Sequence, residues 1–485
     1  MVSEINPYEF VTVPEGWECK RLVDCTVDGV ISYGIVQPGK HDDDGIPVIR
    51  VNNINNGQLS LSDVLKVSPE IENKYGRTRL AGGEVLLTLV GSTGQSIVAP
   101  PKLAGWNVPR AIGVIRAKEE IGADWINLCL QSKETKHFLD VRANTTVQKT
   151  LNLKDVRDIP ILIPPTKVKQ SIETNVLSLS KKIELNRQTN QTLEQITQAI
   201  FKSWFVDFDP VRAKIAAREA FIQQHPEVTE AAIRAAAGTE GDTLAHAGAK
   251  ACELASMCTI SGKTEEQLNE LDANTLQQLK FTAAQFPDAL VDSDVGEIPE
   301  GWNLQTFGDV SRCFDSKRVP LSKKQRETKK PGNIPYYGAT SIMDYINEWI
   351  FDDIYLLLGE DGSVLKDDGT PFVQYIWSKT WVNNHAHVLQ GANGVSTEQL
   401  MLFMQQTNIT AYVTGAVQLK LNQRNMNSVP FLNAGTALNS VFYYSVKPIY
   451  TKIRNTTEEN LSLNLIRDSL LPKLLSGELQ MNNVA

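Results

Sequence analysis

Two hydrophobic periodicities alternate along the chain. Between residues 45 and 165, short apolar runs ("GIPVIRV", "GEVLLTLVG", "AIGVIRA", "DIPILIP") are bounded by Gly, Pro and Asn, the pattern of β-strands. "ADWINLCLQSKETKHFL" reads as helix among them. From Lys167 to Phe205 there is no Gly or Pro, and Ile172, Val176, Leu179, Ile183, Leu193, Ile196, Ile200 and Trp204 fall at three- and four-residue spacing. That spacing predicts one amphipathic helix, about 58 Å long at 1.5 Å per residue. The same succession returns later. "DIYLLLGEDG", "HAHVLQG" and "TEQLMLFMQQT" precede a second helical stretch from about Lys447 to Leu475, with Ile449, Ile453, Leu463, Ile466, Leu470 and Leu474 on its seam. Pro472 makes its last turn irregular.

The return is a repeat in sequence as well as in pattern. "VPEGWECKRLVDCT" from Val13 matches "IPEGWNLQTFGDVS" from Ile298, an offset of 285. "VQKTLN" (Val147–Asn152) matches "VQLKLN" (Val417–Asn422) at an offset of 270, which also aligns Pro160 with Pro430 and Ile196–Phe205 with Ile466–Leu475. A constant frame holding two variable inserts explains the two offsets. The expected fold class is therefore α+β, with two β-rich domains joined by two long antiparallel helices packed as a coiled coil. It is an internal duplication with pseudo-twofold symmetry. The expected boundaries are 1–165 for the first domain, 166–210 for the central helix and 211–290 for an Ala-rich acidic linker or insert. The second domain takes 291–440 and the C-terminal helix 441–485. Both seams have a polar break, at Asn186 and Asn190 and at Thr456 and Asn460. Antiparallel packing would bring Asn190 close to Asn460, a buried polar contact that fixes register.

Composition narrows the class. The chain has 485 residues, 42% hydrophobic and 21% charged, which fits two or three folded domains. No apolar run approaches a membrane span, and the start lacks an export signal. Six scattered cysteines (Cys19, Cys25, Cys129, Cys252, Cys258, Cys313) read as free thiols of a cytoplasmic protein. The net charge of −8 hides a split: Val206–Glu297 holds 7 Lys and Arg against 16 Asp and Glu, and the remainder 41 against 40. The acidity sits in the middle segment, leaving near-neutral outer parts that can still present basic faces.

No catalytic constellation stands out. The phosphate-binding and dinucleotide glycine loops are missing, as is the Asn/Asp-Pro-Pro-Tyr/Phe motif of adenine methyltransferases. "VGSTGQS" (Val90–Ser96) reads as a turn after a strand. His385 and His387 of "HAH" alternate as strand residues with no acidic or Cys partner nearby in sequence, so no metal is expected. Asp352, Asp353, Glu360 and Asp361 resemble a nuclease cluster only loosely.

The duplicated unit, with each domain opening on "[VI]PEGW", resembles the specificity subunit of type I restriction–modification systems. "LEQITQAIFKSWFVDFDPV" (Leu193–Val211) is similar to the family's central constant region, "LLPKLLSGEL" (Leu470–Leu479) to its C-terminal one, and "VDSDVGEIPEGW" (Val291–Trp302) to the approach to its second domain. The resemblance implies two target-recognition domains, each reading half of a split, asymmetric DNA target, with the helices as ruler and dock. It implies double-stranded DNA, two modification (methyltransferase) subunits and restriction subunits as partners, and no membrane. This chain would be non-catalytic and hold no cofactor. S-adenosylmethionine, ATP and Mg would belong to the partner subunits. The alternative is a protein-binding adaptor without sequence-specific DNA binding.

Base reading needs Arg or Lys for guanine and Asn or Gln for adenine, beside phosphate donors. In the first domain the candidates are Arg50, Asn52, Asn53, Arg77, Arg79, Ser92, Thr93, Gln95 and Arg110. Gln148 and Lys149 open the repeated loop, whose second copy holds Gln418 and Lys420. In the second domain, Lys317, Arg318, Lys323, Lys324, Arg326, Lys329 and Lys330 form the densest basic run, and Asn384 and His385 stand roughly where Pro109 and Arg110 do in the first.

Overall fold

A computed structural model describes residues 12–55, 57–61, 63–142, 150–415 and 418–479. It divides into two compact units, residues 1–186 with 459–485 and residues 187–458. The division falls inside both long helices, so each unit contains part of each.

In the first unit, strands Thr26–Tyr33, Ile112–Ala117, Val85–Thr88 and Ser96–Val98 form an antiparallel sheet in that order. Glu18–Arg21 and Pro160–Ile163 pair beneath it as a short neck, Glu18 opposite Ile163 and Arg21 opposite Pro160. The helix Ala123–Gln131 covers the sheet, and its Trp125 indole donates to the Leu162 carbonyl at 2.7 Å. Leu22, Leu87, Ile115, Trp125, Phe138 and Ile161 form the core with Ile172 and Val176 of one long helix and Leu471 and Leu474 of the other. Each such side chain contributes about 1.5–3 kcal/mol on burial.

The second unit repeats this plan. Strands Ser311–Cys313, Ala386–Gly391, Tyr355–Gly359 and Val373–Ile376 pair antiparallel in the corresponding order. The neck Asn303–Thr306 with Pro430–Asn433 keeps the register, Asn303 opposite Asn433 and Thr306 opposite Pro430. These neck strands carry the offsets of 285 and 270. The inserts differ. The first unit adds two small strand pairs, Ile46–Val48 with Leu65–Val67 and Ile54–Asn55 with Gln58–Leu59. The second adds a four-stranded sheet that includes Ile334–Tyr337 and Lys379–Val382 in parallel.

The long helices are Thr166–Phe205 and Thr436–Leu475. The second begins eleven residues before the expected Lys447. It runs through Pro448, whose missing N–H leaves the Tyr444 carbonyl without its usual donor. Tyr444 is exposed, so water can take that role, while Leu438, Phe442 and Val446 bury the opposite stripe. The register at the polar break also differs from expectation. Asn460 meets Asn186, which donates to its Oδ1 at 2.9 Å, and not Asn190. Asn190 donates instead to Thr457 Oγ1 and the Ile453 carbonyl. The helices are thus paired one turn away from the expected match.

The middle segment is packed rather than solvated. After Phe208, at a left-handed φ of 57°, helices Asp209–Gln224, Glu230–Ala236, Leu244–Ser261, Glu265–Asn269 and Ala273–Ala284 follow. Val228, Ile233 and Cys252 form one small core, and Met257, Leu268 and Ala283 another. Gly248 allows the close approach, since a Cβ there would lie 2.9 Å from Ile233. Buried Lys214 and Arg218 tie the bundle down by donating to the carbonyls of Phe286 and Asp288.

Candidate nucleic-acid interface

At one end of each sheet the same two backbone bonds bring three loops together. In the first domain Leu89 N–H donates to the Ala111 carbonyl, and Leu151 N–H to the Leu89 carbonyl, both at 2.8 Å. In the second, Glu360 N–H donates to the His385 carbonyl and Leu421 N–H to the Glu360 carbonyl, again at 2.8 Å. The repeated loop of the sequence therefore lies against the turn that follows the third-ordered strand, and both lie beside the segment holding Arg110 or His385.

This end of the first domain gathers Ser92, Thr93, Gln95 and Arg110. Thr88 shapes the turn, its hydroxyl donating to the Ser92 carbonyl at 2.5 Å and accepting from Gln95 N–H at 2.9 Å. The Val90–Thr150 bridge carries the chain directly from the turn to the repeated loop. Gln148 and Lys149 lie outside the described residues. The remaining first-domain candidates belong to the inserted part. Asn52 is exposed, whereas Asn53 is buried and spends its amide on the Ser60 and Asp63 carbonyls. Arg50 is engaged by Asp63 at 2.6 Å. Arg79 is paired with Glu72, and Arg77 is exposed. Arg116 donates to the carbonyls of both Arg77 and Arg79, holding them side by side.

In the second domain Gln418 and Lys420 are exposed and His385 stands beside them. His385 Nδ1 lies 2.6 Å from Asp361 Oδ1. Arg318 is a correction: its side chain is 11% exposed and bonded to Glu360 at 2.8 Å and to the Ala386 carbonyl at 2.6 Å. It holds the domain together and has no face left for DNA. The basic run is likewise partly neutralised. Arg326 pairs with Asp344, Lys329 with Glu348, and Lys330 with Glu327 and Asp344. Lys317, Lys323 and Lys324 are exposed and make no ion pair among the described residues. Asn384 is exposed too, in the turn between the strands Lys379–Val382 and Ala386–Gly391.

The carboxylates do not form a nuclease cluster. Glu360 faces Arg318 and Lys420, Asp361 faces His385, and Asp353 accepts from Gln390. The two histidines do have acidic partners, which are distant in sequence. The fold brings Asp361 to His385 and Asp315 to His387, with Cys313 close to the latter pair. These partners stand 24 and 72 residues away in the chain, and only the strand alternation of "HAH" hinted that both rings would be used. None of the six cysteines is in a disulfide, and burial pushes the thiols of Cys25 and Cys313 up to about 11 and about 12. Among the described residues, no helix is long and apolar enough to cross a membrane.

Comparison with known proteins adds the following. The family described as type I restriction modification DNA specificity domain matches residues 14–195 and 299–431. The HindI type I restriction enzyme specificity subunit of Haemophilus influenzae is 29% identical over 392 residues, covering 73% of this chain and 77% of the relative. The MjaIX type I specificity subunit of Methanocaldococcus jannaschii is 20% identical, covering 83% and 79%. The crystal structure of a type I restriction–modification S subunit from M. genitalium aligns over 96% of this chain and 98% of that one, at 12% identity and a TM-score of 0.45.

Proposed function

Since the chain belongs to the type I restriction–modification DNA specificity family, we propose that its two globular domains read the two halves of one bipartite, asymmetric duplex target. It is the sequence-recognition subunit of such a complex and not its catalytic part. The observation that carries the assignment of the reading surface is the duplicated pair of backbone bonds at Leu89 and Glu360. A constant scaffold there presents non-identical side chains: the turn holds Ser92, Thr93 and Gln95 in one domain and Asp361 and Ser363 in the other, and the segment beside it holds Arg110 or Asn384 and His385, with Gln418 and Lys420 on the second domain's repeated loop. Different side chains on equivalent loops suit two unlike half-sites, since base edges are told apart by donor and acceptor pattern. Exposed Lys317, Lys323 and Lys324 supply phosphate contacts.

The partners on this reading are double-stranded DNA, two modification subunits and restriction subunits, assembled in the cytoplasm. S-adenosylmethionine, ATP and Mg belong to those subunits. Long-read methylation sequencing of the host with and without this gene tests the reading. Loss of one bipartite adenine-methylated motif on deletion is the expected result. A purified complex that fails to discriminate among duplex sequences would instead make the chain an adaptor.

A further inference from the structure

A fourth segment joins the three loops at the end of each sheet. In the first domain it follows the strand Thr26–Tyr33. Ile35 N–H donates to the Val108 carbonyl at 2.8 Å and Arg110 N–H to the Ile35 carbonyl at 2.7 Å, so Ile35 pairs in parallel with Pro109. Gly34 permits this approach, since a Cβ there would lie 1.7 Å from the Val108 carbonyl oxygen. The Ile35 side chain is fully buried in a cluster with Val48 and Val67. Two hydrogen bonds and a buried side chain thus hold the backbone beside Arg110.

The residues that follow are unengaged. Val36 and Gln37 are exposed, and Pro38 and Gly39, the latter at a φ of 74°, turn the chain away. The acidic run Asp42–Asp44 lies beyond that turn, where Asp42 N–H donates to the Lys66 carbonyl and Lys66 Nζ to the Asp43 carbonyl. Arg110 is exposed, and neither its guanidinium nor the Gln37 amide makes a hydrogen bond or ion pair among the described residues. Arg50, Asn53 and Arg79 are by contrast spent on partners within the domain. Gln37 therefore reaches a ligand from a fixed backbone and breaks no internal bond to do so. Its amide sets a donor beside an acceptor, which matches N7 and N6–H on the major-groove edge of adenine.

The second domain differs at this place. Tyr337 pairs in parallel with Val382, and its carbonyl accepts from Asn383 N–H at 3.1 Å. The chain then folds on itself, Gly338 N–H donating to the Ser341 carbonyl at 2.8 Å. Gly338, Ala339, Thr340 and Ser341 bring no amide or charged side chain.

We propose that Gln37 is a specificity-determining residue that hydrogen-bonds the major-groove edge of one adenine in the half-site read by the first domain. The proposal rests on the assignment of this end of the sheet to the DNA-reading surface, and adds to it a residue and the base it recognises.

The test uses the assembled complex and the target defined by its methylation. The half belonging to the first domain is the one that stays the same when residues 307–429 are exchanged for a relative's counterpart. That half should contain an A·T pair besides the methylated one, and its absence overturns the proposal. Binding is then measured to duplexes changed at one base pair at a time. Gln37→Ala should lose on the order of tenfold in discrimination at a single A·T pair of that half, with the other positions, the second half and the melting temperature unchanged. 7-Deazaadenine at that pair lacks the N7 acceptor. It should weaken binding of the parent to a similar extent and leave binding of Gln37→Ala unaffected. A uniform loss over all sequences, a loss at a G·C pair, no loss, or a 7-deazaadenine penalty that persists in the variant overturns the proposal. Arg110→Ala separates the two inferences. Discrimination lost in Arg110→Ala but not in Gln37→Ala leaves the reading surface standing without Gln37, whereas loss in neither overturns both.

Discussion

Asn186 and Asn460 are 4% and 8% exposed, and their amides meet across the helix pair. Replacing either with Leu leaves the other buried amide short of a partner, at a cost of about 1–3 kcal/mol. The double Leu variant should lose less than the two singles together, with a coupling of at least about 0.5 kcal/mol. Asn190→Leu with Asn460→Leu should be nearly additive. Denaturant midpoints of the three single and two double variants measure both, and additivity at 186 and 460 would contradict the register. Arg318→Ala should destabilise the protein by about 3–5 kcal/mol, because Glu360 and Asp315 are then left as poorly compensated buried charges. Lys323→Ala and Lys324→Ala should instead leave the melting temperature unchanged and each reduce the salt slope of DNA binding by about 1. Glu72 is nearly buried. Despite burial, the Arg79 and Asn107 hydrogen bonds hold its carboxyl below the usual range. A carboxyl lowered by folding stabilises above its unfolded pKa of about 4.3 and loses that contribution as pH falls through the folded value. Glu72→Gln should therefore be less stable than the parent at neutral pH, and the gap should close in acid.

At the scale of elements, the repeat and the first long helix were legible because periodicity and turn residues are local signals. The neck strand Pro160–Ile163 and the helix Thr166–Phe205 follow from runs readable in a dozen residues. The early start of the second helix was not legible. Pro448 resembles a helix beginning, and only the burial of Leu438, Phe442 and Val446 against the rest of the domain overrides it. Arg318 was misread for a similar reason. Its partner Glu360 is 42 residues away, and no local pattern distinguishes a buried basic residue from an exposed one. Candidate loops were legible as types of residue, but their convergence depends on long-range strand pairing. The helices give a prediction of their own. Four residues added to each, about 6 Å of helix, should lengthen the unread spacer of the methylated motif by about 1–2 bp. An unchanged spacer in the methylome of that variant would remove the helices from the role of ruler.

For the molecule as a whole, the duplication places the variable parts between constant ends. Residues 307–429 enter and leave through the paired strands Asn303–Thr306 and Pro430–Asn433. Exchanging that segment for its counterpart in a relative of different specificity should change one half of the methylated motif and leave the other half as it was. Methylation sequencing reads the outcome directly, and a change in both halves would mean the domains do not read independently. The acidic helical bundle between the repeats packs within the second unit through Lys214 and Arg218, so it travels with that unit although it lies outside the exchanged segment.

The necks also bear on how such proteins acquire new targets. Because each variable part is entered and left through two adjacent strands in the same register, two crossovers between related genes, one in each strand of a single neck, transplant that domain's proposed reading surface without disturbing the frame that receives it. A lineage can thus change the sequence its host marks as self in a single recombination event, where point substitution would have to pass through intermediates that read neither the old target nor the new.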